Sequence, residues 1–173
     1  MNKFLPWPEA FDANEWFIIA SGVFYLVLIL SLPKRFPMVI CLTLWLFNTT
    51  LAKSADYTIA AALPYDLYDY NDSGKLEFFD EVLQYLLYPQ VGYLMMYMYD
   101  LWRPTSYKLV AFVLALAGFS VWYEWSSVQA HVFTYKGWSL RYSANSYLIL
   151  IPLNIWFLDT MKNWWNRLER KNL

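Results

Sequence analysis

Apolar residues in this chain do not recur at every third or fourth position. They fill whole stretches, and charge or proline breaks the stretches apart. A helix needs roughly 20 mostly apolar residues to cross the hydrocarbon core of a bilayer. Five stretches meet that requirement: 15–33, 37–56, 79–100, 107–127 and 144–161. Short polar clusters separate them, with no long linker, internal repeat or low-complexity segment. The pattern predicts an all-α integral membrane bundle of about five transmembrane helices, forming one transmembrane domain over residues 1–173.

The basic residues set an expected orientation, because Lys and Arg collect on the cytoplasmic side. Lys34, Arg35, Arg103, Lys108, Lys162, Arg167, Arg170 and Lys171 flank one side of the five spans. Lys3, Lys53, Lys75, Lys136 and Arg141 flank the other. Eight against five predicts the N-terminus outside and the C-terminus in the cytoplasm. Most acids, among them Glu9, Asp12, Asp66, Asp72 and Glu81, then fall on the outer face. The first apolar run has Glu9, Asp12 and Glu15 before it and Lys34 and Arg35 after it, which predicts a retained span in place of a cleaved signal peptide.

Composition agrees. The chain is 59% hydrophobic and 16% charged, too little charge to cover a water-soluble surface. Its mean hydropathy of only +0.27 reflects ten Trp and fifteen Tyr, which score poorly yet suit the membrane interface. The net charge of −1, without a basic block, gives no footprint for nucleic acid. Cys41 is the single cysteine and sits in an apolar run, as a small buried hydrophobe does.

Some spans carry local detail. Pro89 removes a backbone donor from the third and predicts a kink. Ala111, Ala115 and Gly118 fall at the spacing that permits close helix packing in the fourth. Residues 162–173, with Trp164, Trp165 and Arg167, have the composition of an interfacial amphipathic extension.

Two groups of residues are candidate sites. From Asp69 the loop after the second span follows the EF-hand order of calcium ligands: Asp69, Asn71, Ser73, Lys75 through its carbonyl, Glu77 and Asp80, with Gly74 at the turn. Asp80 stands where Glu is usual, and Pro64 leaves little room for an entering helix. The simpler reading, which the departures favour, is an acidic turn around Asp72-Ser73-Gly74 with a nearby acid capping the next helix.

The second group is polar residues inside spans. Glu124 lies in the outer part of the fourth span, with Lys53 of the second as its expected partner. Asn48 and Asp56 share a helical face with Ala52 between them. Asn48, Lys53, Asp56 and Glu124 are thus candidates for an outward-facing polar pocket, against a simple headgroup-level position for Glu124. Asn154 is the main polar residue of the fifth span. His131 is the only histidine, so a multi-histidine zinc site is excluded. No phosphate loop, nucleophile elbow or His–Glu metalloprotease pair is present.

Tyr65-Asp66, Tyr68-Asp69, Asn71-Asp72-Ser73, Tyr88-Pro89, Gly92-Tyr93, Tyr99-Asp100, Glu124-Trp125 and Tyr135-Lys136-Gly137-Trp138 together resemble a family of small multi-pass membrane proteins from spore-forming bacilli and clostridia. The resemblance implies a bacterial plasma membrane location and the helix count, and no catalytic residue. The leading expectation is a non-enzymatic interaction or scaffold protein, partnered by the lipid bilayer and by membrane proteins or further copies of itself, with calcium as the candidate ion of the outer loop. A small transporter lined by the second and fourth spans and an integral-membrane enzyme are the alternatives.

Overall fold

The computed structural model describes residues 7–8, 10–59, 66–70 and 78–171. Helix α1 spans Ala13–Ser31 and α2 spans Met38–Ile59. Helix α3, Phe78–Val82, passes without a break through one π-helical turn, Leu83–Leu87, into α4, Tyr88–Trp102. Helices α5, Tyr107–Gln129, and α6, Leu140–Lys171, complete the bundle. Two three-residue strands, β1 (Tyr68–Tyr70) and β2 (Phe133–Tyr135), pair antiparallel with Asp69 opposite Thr134. The architecture is helical, as the apolar runs predict. The ribbon is an addition, too short to leave an alternating pattern in the sequence.

Three helices, α1, α2 and α5, are long and apolar enough to cross a membrane by length and composition. Their outward surfaces carry bare aliphatic and aromatic side chains, including Phe24, Leu30, Leu46, Val110 and Leu114. The other two helical runs hold more polar residues, and several of these turn inward: Gln84, Gln90, Asp100 and Asn154 are all buried. The exterior is thus more apolar than that of a water-soluble bundle, while polar groups join the apolar core inside.

Local chemistry explains the elements. Asp12 caps α1: its side chain accepts from the Asn14 amide, while Glu15 accepts from the Asp12 amide at 2.9 Å, a reciprocal capping box. In the third run the expected kink takes a specific form. Pro89 has no N–H to offer the Tyr85 carbonyl four residues back, and its ring crowds that carbonyl. The helix widens by a π turn, with the Tyr88 amide donating to the Leu83 carbonyl. The Tyr85 carbonyl instead accepts the indole N–H of Trp45 on α2 at 2.8 Å. Such bulges often accompany functional sites.

Helices alternate in direction, as contacts at the two ends show. At one end, Arg35 after α1, Arg103 after α4 and Lys162 of α6 converge on Asp100, which is 3% exposed. Arg35 and Lys162 each bond its carboxylate at 2.6 Å. Arg103 also holds Asp159 at 2.6 Å, and Tyr99 donates to that same carboxylate. At the other end, Lys53 of α2 pairs with Glu81 of α3 at 2.9 Å, and the ribbon crosses above. Between the ends lies an apolar core of Ile40, Leu44, Met96, Leu116, Ile151 and Leu158.

Two local features take a specific form. Ala111, Ala115 and Gly118 face outward, and the packed face of α5 is Phe112, Leu116, Ala117 and Ser120. The larger apolar groups gain more contact inside than the small ones would. The tail beyond residue 161 continues α6 without interruption to Lys171. Leu, Arg, Glu and Lys are good helix formers, so nothing there ends the hydrogen-bond ladder.

Candidate functional site

A cavity of about 240 Å³ opens between α2, α4, α5 and α6 at the ribbon end of the bundle. Helix α2 contributes Asn48 and Asp56, which its 3.6-residue period sets on one face. Helix α5 contributes Ser120 and Glu124 by the same spacing, and α6 contributes Ser143, Tyr147 and Asn154. Leu87, Val91, Met95 and Met96 of the third run give an apolar wall. Gly92 brings that wall close to α2, since Asn48 occupies the space a Cβ would need. Tyr68, Phe133 and Tyr135 of the ribbon, with Trp138, line its ribbon end.

Glu124 is the organising group. Its Oε1 accepts from the Tyr135 hydroxyl and from Ser143 Oγ, and its Oε2 accepts from the Tyr147 hydroxyl at 2.7 Å. Ser143 Oγ itself accepts the indole N–H of Trp138 at 2.8 Å, which commits the serine proton to Glu124. All three of these partners are neutral. Burial, and then the bond to the Glu124 carboxylate, push the Tyr135 hydroxyl above its ordinary range.

Asp56 faces the cavity from the opposite wall. It accepts from the Tyr68 hydroxyl at 2.8 Å and from Gln84 Nε2 at 2.6 Å. Asn154 lies toward the other end of the cavity, 7% exposed, with its amide nitrogen bonded to the Leu150 carbonyl and its Oδ1 without a partner. Seven residues of helix separate it from Tyr147, a rise of about 10 Å.

The mouth is fastened from outside. The amides of Lys136, Gly137 and Trp138 all donate to the Leu67 carbonyl at 2.9–3.0 Å. Lys136 reaches across to Asp66 and Asp69 at 3.1 and 3.0 Å, and these bonds raise its pKa. The Lys-Gly-Trp turn is therefore clamped to the segment leading into β1.

Three of the four pocket candidates, Asn48, Asp56 and Glu124, meet in this cavity. Lys53 does not line it. The lysine expected beside Glu124 is held by Glu81 and lies over the Tyr85 ring at 4.5 Å. Of the six calcium candidates, Asn71, Ser73, Lys75 and Glu77 lie outside the described residues. Asp69 is engaged by Lys136, and Asp80 is a buried residue in the first turn of α3. Among the described residues no three His, Cys, Asp or Glu side chains are grouped to hold a metal ion.

Sequence reasoning missed the hydroxyls around Glu124. One signal was available: Ser143 and Tyr147 are four apart and so share a face of α6, as Ser120 and Glu124 do on α5. What the sequence lacks is the rotation of those two faces toward each other.

Fold and site together define a helical bundle, three of its helices fit to cross a bilayer, built around an amphiphilic cavity at one end. No protein-family model, curated protein or solved structure matches the chain.

Proposed function

We propose that this is a five-span protein of the bacterial plasma membrane, N-terminus outside, which binds a small elongated amphiphile in the cavity between α2, α4, α5 and α6. The reading includes kinship with the small multi-pass proteins of spore-forming bacteria. Exposed aromatic side chains support the membrane placement: Trp16, Tyr57, Trp122 and Trp125 ring one end, and Trp102, Tyr107 and Trp164 ring the other. The gathering of Arg35, Arg103 and Lys162 at a single end supports the cytoplasmic assignment of that end.

The observation that carries the binding reading is the distribution of the cavity's chemistry: the hydroxyl-bonded Glu124 carboxylate toward the ribbon end, apolar walls, and the unpartnered Asn154 Oδ1 farther along α6. A buried acceptor left unsatisfied costs about 1–3 kcal/mol, so its natural complement is a ligand that brings a donor. A through-path is the weaker reading, because Leu44, Met96, Ile151 and Leu158 fill the bundle between the cavity and the Asp100 cluster.

Two measurements test this. With Cys41 replaced by Ala, a single cysteine at Asp69 should label in intact cells with a membrane-impermeant maleimide, and one at Lys108 only after the membrane is opened. Labelling from the same side would sink the topology. In lipid nanodiscs, calorimetry should show saturable binding of at least one of two six-carbon probes, 6-amino-1-hexanol and 1,6-hexanediol, above that of empty discs. Ala52→Phe, which fills the cavity from α2, should abolish it. Failure of both probes would overturn the binding reading.

A further inference from the structure

Resting on that binding reading, we infer that the ligand is a cation: an organic ammonium whose charged head sits beside Glu124, whose short apolar body lies along Val91, Met95 and Ile151, and whose far end donates to Asn154. The argument starts with charge balance. The cavity's described lining includes the Glu124 carboxylate and no Lys, Arg or His. The nearest lysine of the second span is turned away and bound to Glu81. Lys136, above the mouth, is spent on Asp66 and Asp69.

Glu124 accepts hydrogen bonds from three hydroxyls, and among the described residues no cationic side chain bonds it. An anion in surroundings of reduced polarity draws a mobile cation far more strongly than it would in water. The walls near it fit that role. Tyr68, Tyr88, Tyr135, Tyr147 and Trp138 surround the polar end, and aromatic faces attract ammonium groups through their quadrupole. A metal ion fits less well, because hard cations need six or more oxygen ligands and most of this lining is aliphatic or aromatic.

Length gives the second constraint. The rise of about 10 Å along α6 from Tyr147 to Asn154 is matched by a chain of roughly six methylenes between two polar ends. The Asn154 acceptor, only 7% exposed, has no donor among the described residues. A ligand with an ammonium at one end and a hydroxyl or amine at the other satisfies both.

The test compares 6-amino-1-hexanol, an ammonium at neutral pH, with 1,6-hexanediol, its neutral counterpart, on the unmodified protein in nanodiscs. The expected result is a preference of about tenfold or more for the amine, the equivalent of about 1.4 kcal/mol. Glu124→Gln should bring the two probes level, and Asn154→Leu should weaken both without changing their ratio. Equal binding of the probes, or preference for the diol, overturns the cation inference while the cavity reading stands. Binding of neither overturns both. The probe comparison needs no variant, so a misfolded Glu124→Gln protein does not blunt it.

Discussion

The side chain of Asn48 rests on the bare Cα of Gly92. A Cβ at residue 92 would stand 2.4 Å from Asn48 Oδ1 and 2.5 Å from its Cγ. Asn48 is short, and its amide nitrogen is already bonded to the Leu44 carbonyl at 2.9 Å, so it cannot swing aside without losing that bond. The pair sets how closely α2 and α4 approach at the cavity wall.

Gly92→Ala should therefore destabilise the protein by about 1–3 kcal/mol, the usual cost of overpacking. Asn48→Ala in the same chain should restore most of it. Thermal unfolding of the two single variants and the double variant in detergent closes the cycle. Additive effects would show that the two residues do not touch in the way described.

Trp45 and Pro89 form a similar pair at a distance. Removing the indole N–H by Trp45→Phe leaves the Tyr85 carbonyl unpaired, at a cost of about 1–2 kcal/mol. Pro89→Ala returns a backbone donor to the helix, so the tryptophan substitution should cost less in that background. An equal cost in both backgrounds would remove the link between the proline and the indole.

Asp100 pairs with three cations at once. Asp100→Asn should lower stability by about 2 kcal/mol, discounted from the larger penalty of a fully buried pair because Arg35, Arg103 and Lys162 are partly solvated. Added salt should shrink the loss. Unchanged unfolding at low ionic strength would mean that the cluster contributes nothing.

Tyr135 offers a pH test. Its folded-state pKa lies above the ordinary value of about 10, so the stabilisation is complete below about pH 10 and fades as pH rises through the higher folded value. Tyr135→Phe should lose stability at neutral pH and show a shallower fall in alkali. Parallel stability curves for the two proteins between about pH 9 and 12 would contradict the assignment.

The helices were legible because an unbroken apolar run has few other fates, and Asn48, Asp56 and Glu124 were legible because polar groups inside such runs are rare. The limits of legibility have physical causes. Lys53 could be paired on paper with any nearby acid, and helix rotation decided for Glu81. The donors to Glu124 come from β2 and α6, and no local pattern ties a hydroxyl to a carboxylate in another element. Pro89 announced a disturbance but not its form, since the indole that makes the π turn tolerable belongs to α2. The seam of Ala111, Ala115 and Gly118 shows that spacing identifies a face without saying what that face meets.

The ribbon has a consequence for how the protein is made. Asp69 and Thr134 can face each other only after α3, α4 and α5 have packed, because all three lie between them in the chain. The ladder is thus among the last contacts to form during synthesis, and Lys136 fastens to Asp66 and Asp69 only once it has. A chain with a misplaced helix would leave those acids, and the mouth of the cavity, unclosed. The clamp thus closes only on a chain whose intervening helices have found their places.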